Sequence, residues 1–147
     1  MEWFAHKTVA TVVEKNNRFL MVEERADGEV VFNQPAGHLE PGETLLEAAC
    51  RETLEETGWE VELRHFLGLY HYVSSANQTS YIRSCFIASP VKLIEGRQLD
   101  TDIVQAHWLT IEELRQMQER LRSPVVLRVL EDYLQGIAYP LSVVTSL

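Results

Sequence analysis

Cysteine is scarce in this chain of 147 residues: Cys50 and Cys85 are the only two, too few and too far apart for a disulfide framework or a cysteine-based metal site. Seven glycines and five prolines are scattered singly, so no linker or low-complexity tract divides the chain. Nowhere do eighteen apolar residues run together, which excludes a spanning helix, and Met1 to Lys7 lack the apolar core of a secretion signal. Positive charge is in deficit, with 13 Lys plus Arg against 22 Asp plus Glu and a net charge of −9. That balance speaks against broad electrostatic binding to DNA or to an anionic membrane. It leaves room for a small phosphorylated molecule, because a divalent cation bridges acidic side chains to phosphate. Length and composition imply one domain over residues 1–147, and the two isolated cysteines a reducing, cytoplasmic setting; a monomer or homodimer is the expected state.

What is present reads as strands first and helices later. His6 to Glu14 is rich in β-branched residues, and Asn16-Asn17 turns the chain into a second strand from Arg18 to Glu24. Asp27-Gly28 is a further turn, followed by a short strand from Val30 to Asn33 and a loop from Gln34 to Gly42. Thr44 and Glu47 form a capping box that opens a helix, and Gly58 stops it after Thr57. Trp59 to Tyr72, Ser80 to Ala88 and Val104 to Leu109 read as strands. A second capping box, Thr110 with Glu113, opens a short helix, and Ser123-Pro124 opens a last one that ends before Gly136. This order lacks strict strand–helix alternation and predicts an α/β fold layered around a mixed sheet.

The first helix carries the chemistry. Glu52, Glu55 and Glu56 stand at i, i+3 and i+4 and share one face, together with the apolar Leu45, Ala48 and Ala49. Leu46, Cys50 and Leu54 on the other side are expected to pack against a sheet. A glutamate triplet by itself is commonly a solvated face. Held between layers, the same carboxylates are costly unless a cation is coordinated, and hard oxygen ligands select Mg2+ or Mn2+.

The surrounding residues decide between these readings. Gly37, five residues, Glu43, seven residues and then Arg51-Glu52-Thr53-Leu54-Glu55-Glu56-Thr57-Gly58-Trp59 resemble the Nudix box over positions 37–59, with Thr53 standing where an aliphatic residue is usual. Phe19 to Glu24, Asn33 to Glu40, Leu121 to Pro124 and Tyr139 to Leu141 look like the NudJ-type phosphatase branch of that superfamily. The resemblance implies the Nudix fold, an α/β/α sandwich around mixed sheet. It also implies hydrolysis of a pyrophosphate bond by a metal-activated water. By the same resemblance, Glu52, Glu55 and Glu56 with the Gly37 carbonyl hold Mg2+ or Mn2+, and Glu52 is the base. Arg51 orients these carboxylates, its plainer role being an ion pair with Glu47 or Glu55, and Glu43 supports them from before the helix. Asp102, six residues before Trp108, is the candidate auxiliary acid, with Asp100 its near rival.

Substrate contacts are less defined. Asn33 and Gln34 precede Gly37, and Arg83 and Arg18 have the guanidinium geometry that suits phosphate. Tyr81, Tyr70, Tyr72 and Trp3 are candidates to stack on a base, although aromatic residues on strands more often fill core. His38, His65, His71 and His107 lack zinc-ligand spacing. The branch resemblance implies nucleoside di- and triphosphates and hydroxymethylpyrimidine pyrophosphate as substrates. Two other classes compete: a catalytically silent nucleotide-binding module, disfavoured by the intact glutamates, and an enzyme acting on the 5′ end of RNA, disfavoured by the charge.

Overall fold

Strand β1, His6–Lys15, is buried from Thr8 to Val13, and its alternate side chains enter different layers. Ala10 and Val12 pack with Val126, Val129 and Leu130, whereas Val9 packs with Ala48, Ala49 and Phe86. A strand covered on both faces explains why its sequence is a continuous β-branched run without polar alternation. These are features of a computed structural model that describes residues 2–147.

Asn16 and Asn17 both adopt positive φ, 52° and 62°, and fold β1 back into β2, Arg18–Ala26. Strands β3 (Glu29–Asn33), β4 (Ala36–His38), β5 (Trp59–Val73), β6 (Ser80–Leu93) and β7 (Ile103–Leu109) complete a seven-stranded sheet. Its path runs β3-β2-β1-β6-β5, with β4 paired to β1 and β7 to β2. The β1–β6 pairing is parallel and the others antiparallel, so the sheet is mixed. Helix α1 (Leu45–Thr57) covers one face, and α2 (Ile111–Gln116) and α3 (Pro124–Leu134) cover the other. The fold is the expected α/β/α sandwich.

Both capping boxes form as the sequence specifies, Thr44 with Glu47 and Thr110 with Glu113. Gly58 ends α1 in the left-handed region at φ 79°, its N–H bonded to the Leu54 carbonyl.

Three expectations need correction. The segment from Gln34 to Gly42 is not all loop: Ala36–His38 pair antiparallel with β1, because the edge of a buried strand needs a hydrogen-bonding partner. Strands β5 and β6 run past Tyr72 and Ala88 to Val73 and Leu93, and Pro90 is accommodated opposite Val61 where the register of β5 shifts. The most buried residues of α1 are Ala48, Ala49, Glu52, Thr53, Glu56 and Thr57, while Leu46, Cys50 and Leu54 are only half-buried. Small residues let the helix approach β1 closely. The Thr53 hydroxyl then bonds to the Ala49 carbonyl and to the hydroxyl of Thr11, both at 2.8 Å.

Candidate active site

The buried face of α1 brings its glutamates to the edge of the sheet at β4. Glu52 meets the backbone of Gly37 so closely that a Cβ there would overlap the Glu52 carboxyl. This contact gives the glycine its physical reason: only a residue without a side chain permits it. Glu56, 7% exposed, accepts a hydrogen bond from the Ala36 N–H at 2.9 Å. Burial pushes its carboxyl up to about 9, outweighing the Ala36 bond that favours the charged form. Burial also raises Glu52, against the opposing pull of Arg51.

Carboxylate oxygens of Glu52, Glu55 and Asp100 lie within 4.8 Å of one another. Asp100 is placed by its own N–H, which donates to the Glu55 carbonyl at 3.1 Å. Oxygen donors this close, beside a carboxyl that burial makes harder to ionise, fit a hard divalent cation, which would offset their repulsion and favour ionisation of Glu56.

Arg51 is the counter-charge. It donates to Glu43 through Nε at 2.9 Å and Nη2 at 2.6 Å, and through Nη1 to Glu52 at 2.8 Å and Glu55 at 3.2 Å. Glu40 lies 3.6 Å away, and the His38 carbonyl accepts at 3.1 Å. Its bond to Arg51 holds the Glu43 carboxyl below the usual range, and Glu43 together with Glu52 raises Arg51. Glu47, the alternative ion-pair partner, is instead engaged in the cap of α1. The planar fork is what allows one side chain to reach several carboxylates at once.

A cavity of about 700 Å³ opens in front of this group. Gly37, Glu52 and Glu56 line it, as do Asn33, Tyr81, Arg83 and Asp102. Asp102 thus lies on the cavity wall, its carbonyl accepting from the Arg25 N–H at 2.8 Å, whereas Asp100 is the acid placed among the carboxylates. Gln34, 1% exposed, is not on the wall and reaches the cavity through Arg83. Tyr72 faces Tyr81, and Tyr70 faces Arg83, across β5 and β6. Tyr70 also donates to Asp132 at 2.8 Å. Arg18 pairs with Glu113 and Trp3 is 76% exposed, and neither joins the cavity. Among the described residues no histidine joins the carboxylate group.

An ion pair on the wall escaped the sequence reading. Glu24 is 7% exposed and receives a 2.7 Å bond from Arg122, ninety-eight residues away. The signal for Glu24 was its phase: it shares a face of β2 with the buried Val22.

A sheet between helices, with acids converging where β4 pairs with β1 and a cavity in front of them, defines a phosphohydrolase architecture. The chain belongs to the Nudix family, whose NUDIX domain model matches residues 5–130, and it is a hydrolase acting on phosphorus-containing anhydrides. It is 39% identical over 139 residues to phosphatase NudJ of Escherichia coli K12 and to its Shigella flexneri counterpart, covering 95% of this chain and 90% of each relative. A NUDIX hydrolase from Nitrosomonas europaea superposes with a TM-score of 0.94 at 41% identity, over 98% of both chains. A bifunctional NMN adenylyltransferase/ADP ribose pyrophosphatase from Francisella tularensis, solved with AMP and a Mn ion, shares the fold at a TM-score of 0.68 and 21% identity. That match spans 91% of this chain and 42% of the other.

Proposed function

We propose that this chain uses Mg2+ or Mn2+ to cleave the pyrophosphate bonds of nucleoside di- and triphosphates and of hydroxymethylpyrimidine pyrophosphate. The observation that carries the reading is the meeting of Glu52 with Glu55 and Asp100, Glu52 itself lining a cavity of about 700 Å³ that can take a nucleotide-sized ligand. Similarity to phosphatase NudJ supports phosphate-releasing hydrolysis.

Glu52, Glu55 and Glu56, with the Gly37 carbonyl, are the residues that would hold the cation. When bound, it acidifies water and neutralises charge on the phosphoryl oxygens. The protein's part is positioning, which dominates phosphoryl transfer. Arg51 fixes the Glu52 and Glu55 carboxylates through its fork, and Glu43 anchors the other edge of the guanidinium. Glu52 takes the proton from the attacking water at a carboxylate oxygen, a role suited to a group whose affinity for protons burial has raised. Asp100 or Asp102 supplies the auxiliary acid, Asp100 from beside the glutamates and Asp102 from the cavity wall. Tyr72 and Tyr81, opposed across β5 and β6 in the same cavity, offer an aromatic surface for a base or pyrimidine ring.

The test is a substrate panel at fixed Mg2+ with orthophosphate and pyrophosphate release followed separately. Turnover of nucleoside di- or triphosphates or of the pyrimidine pyrophosphate is expected. Turnover confined to phosphomonoesters would overturn the reading, and binding of nucleotide without turnover would identify a silent module.

A further inference from the structure

Two arginines line the cavity, Arg83 and Arg122, and they differ in charge balance. Arg122 stands 2.7 Å from the buried carboxylate of Glu24 and is neutralised by it. Arg83 forms no ion pair among the described residues. Its Nη1 donates to the Gln34 carboxamide oxygen at 2.9 Å and its Nη2 to that of Asn33 at 3.1 Å. Both acceptors are neutral, so the guanidinium is held at two points while its charge stays uncompensated.

The carboxamides are fixed in turn. Gln34 donates through Nε2 to the Val126 carbonyl at 2.7 Å, and Asn33 donates through Nδ2 to Glu24 at 3.4 Å. With their NH2 ends committed, both present oxygen to Arg83, because a flip would set donor against donor. This is an arrangement for aiming a cation, and a solvated surface arginine needs none of it.

Register places Arg83 relative to the carboxylates. Thr8 on β1 pairs with His38 of β4 on one side and with Arg83 of β6 on the other. Two strand spacings put Arg83 about 10 Å of backbone from β4, and Gly37 of β4 abuts Glu52. A long side chain covers part of that gap.

We propose that Arg83 takes the phosphate group adjoining the one attacked, and that Asn33 and Gln34 are positioning residues that act through Arg83 and not by touching substrate. This assignment rests on the pyrophosphate-hydrolase reading. It gives that reading a rule: the site selects a diphosphate over a lone phosphate because it owns a fixed, unspent guanidinium beyond the carboxylates.

The experiment uses methylenediphosphonate, a diphosphate mimic that cannot be hydrolysed, and orthophosphate, each titrated calorimetrically into the Mg2+-loaded chain. The wild type should bind the diphosphonate more tightly. Arg83→Gln should weaken the diphosphonate by about ten- to a hundredfold, the span of a charge-assisted hydrogen bond, and leave orthophosphate unchanged. Arg83→Lys should retain part of the selectivity, since it keeps the charge and loses the fork. Gln34→Glu keeps a partner for Arg83 but cancels its charge and gives up the bond to the Val126 carbonyl, and in folded protein it should reproduce the selective loss. A purely structural role for Gln34 predicts no such difference between the two ligands. Equal losses for both ligands, or none, would overturn the assignment. So would a wild type that binds both alike, and turnover in the substrate panel then shows whether the hydrolase reading survives. If Arg83→Gln does not fold, the other two variants decide.

Discussion

Replacing Glu56 by Gln separates the site's chemistry from its stability. The side chain is 7% exposed, and the Ala36 N–H that it accepts at 2.9 Å finds an equivalent oxygen in glutamine. Its carboxyl is raised from 4.5 to about 9 by burial, so without a cation the folded chain holds a proton there that the unfolded chain has released. A folded pKa above the unfolded one makes stability greatest below pH 4.5 and removes it progressively as pH rises to about 9. At pH 7 the cost is about 3 kcal/mol at 1.36 kcal/mol per unit. Glutamine has no proton to hold, so metal-free Glu56→Gln should be the more stable form at pH 7 by roughly 6–12 °C in Tm. The difference should shrink to about 1 kcal/mol near pH 5.

Cation closes most of that gap. Mg2+ at a hundred times its Kd should restore about 2.7 kcal/mol to the wild type and little to the variant, whose kcat should fall by at least about a hundredfold. Thermal melts at pH 5, 7 and 9, in chelator and in Mg2+, read all of this. A variant less stable than the wild type in chelator at pH 7, or one with full activity, would refute the reasoning.

Other substitutions probe the neighbouring contacts. Gly37→Ala should abolish most activity by driving its Cβ into the Glu52 carboxyl, at about 1–3 kcal/mol of stability, and near-normal kcat would show that Glu52 has freedom to move. Arg51→Lys keeps one charge but cannot bond Glu43, Glu52 and Glu55 together, so kcat should drop even in well-folded protein. Asp100→Asn and Asp102→Asn are a matched pair, and the one that serves as auxiliary acid should lose on the order of a hundredfold in kcat. If neither loses activity, the box glutamates suffice.

Local signals proved the most legible. Thr44 with Glu47, Thr110 with Glu113 and Gly58 act within a few residues of themselves, so each could be read directly and each forms as expected. Strand β4 could not be read, because a three-residue strand has no period of its own and exists only as a partner for β1. Thr53 stands in sequence only as a departure from the usual aliphatic residue, and its hydroxyl finds its partner in Thr11, forty-two positions earlier. The glutamates were visible as a co-facial set, but their depth was not, since burial depends on Ala48 and Ala49 letting α1 settle against β1. The cavity wall was least accessible: Glu24 with Arg122, and Arg83 with Asn33 and Gln34, are assembled from β2, β3, β6 and the approach to α3.

The most direct test of the central claim is the initial rate of nucleoside diphosphate and triphosphate hydrolysis across a titration of chelator against Mg2+. A site built from Glu52, Glu55 and Glu56 predicts that hydrolysis stops in excess chelator and returns in full when Mg2+ is restored. Undiminished turnover in excess chelator would contradict it.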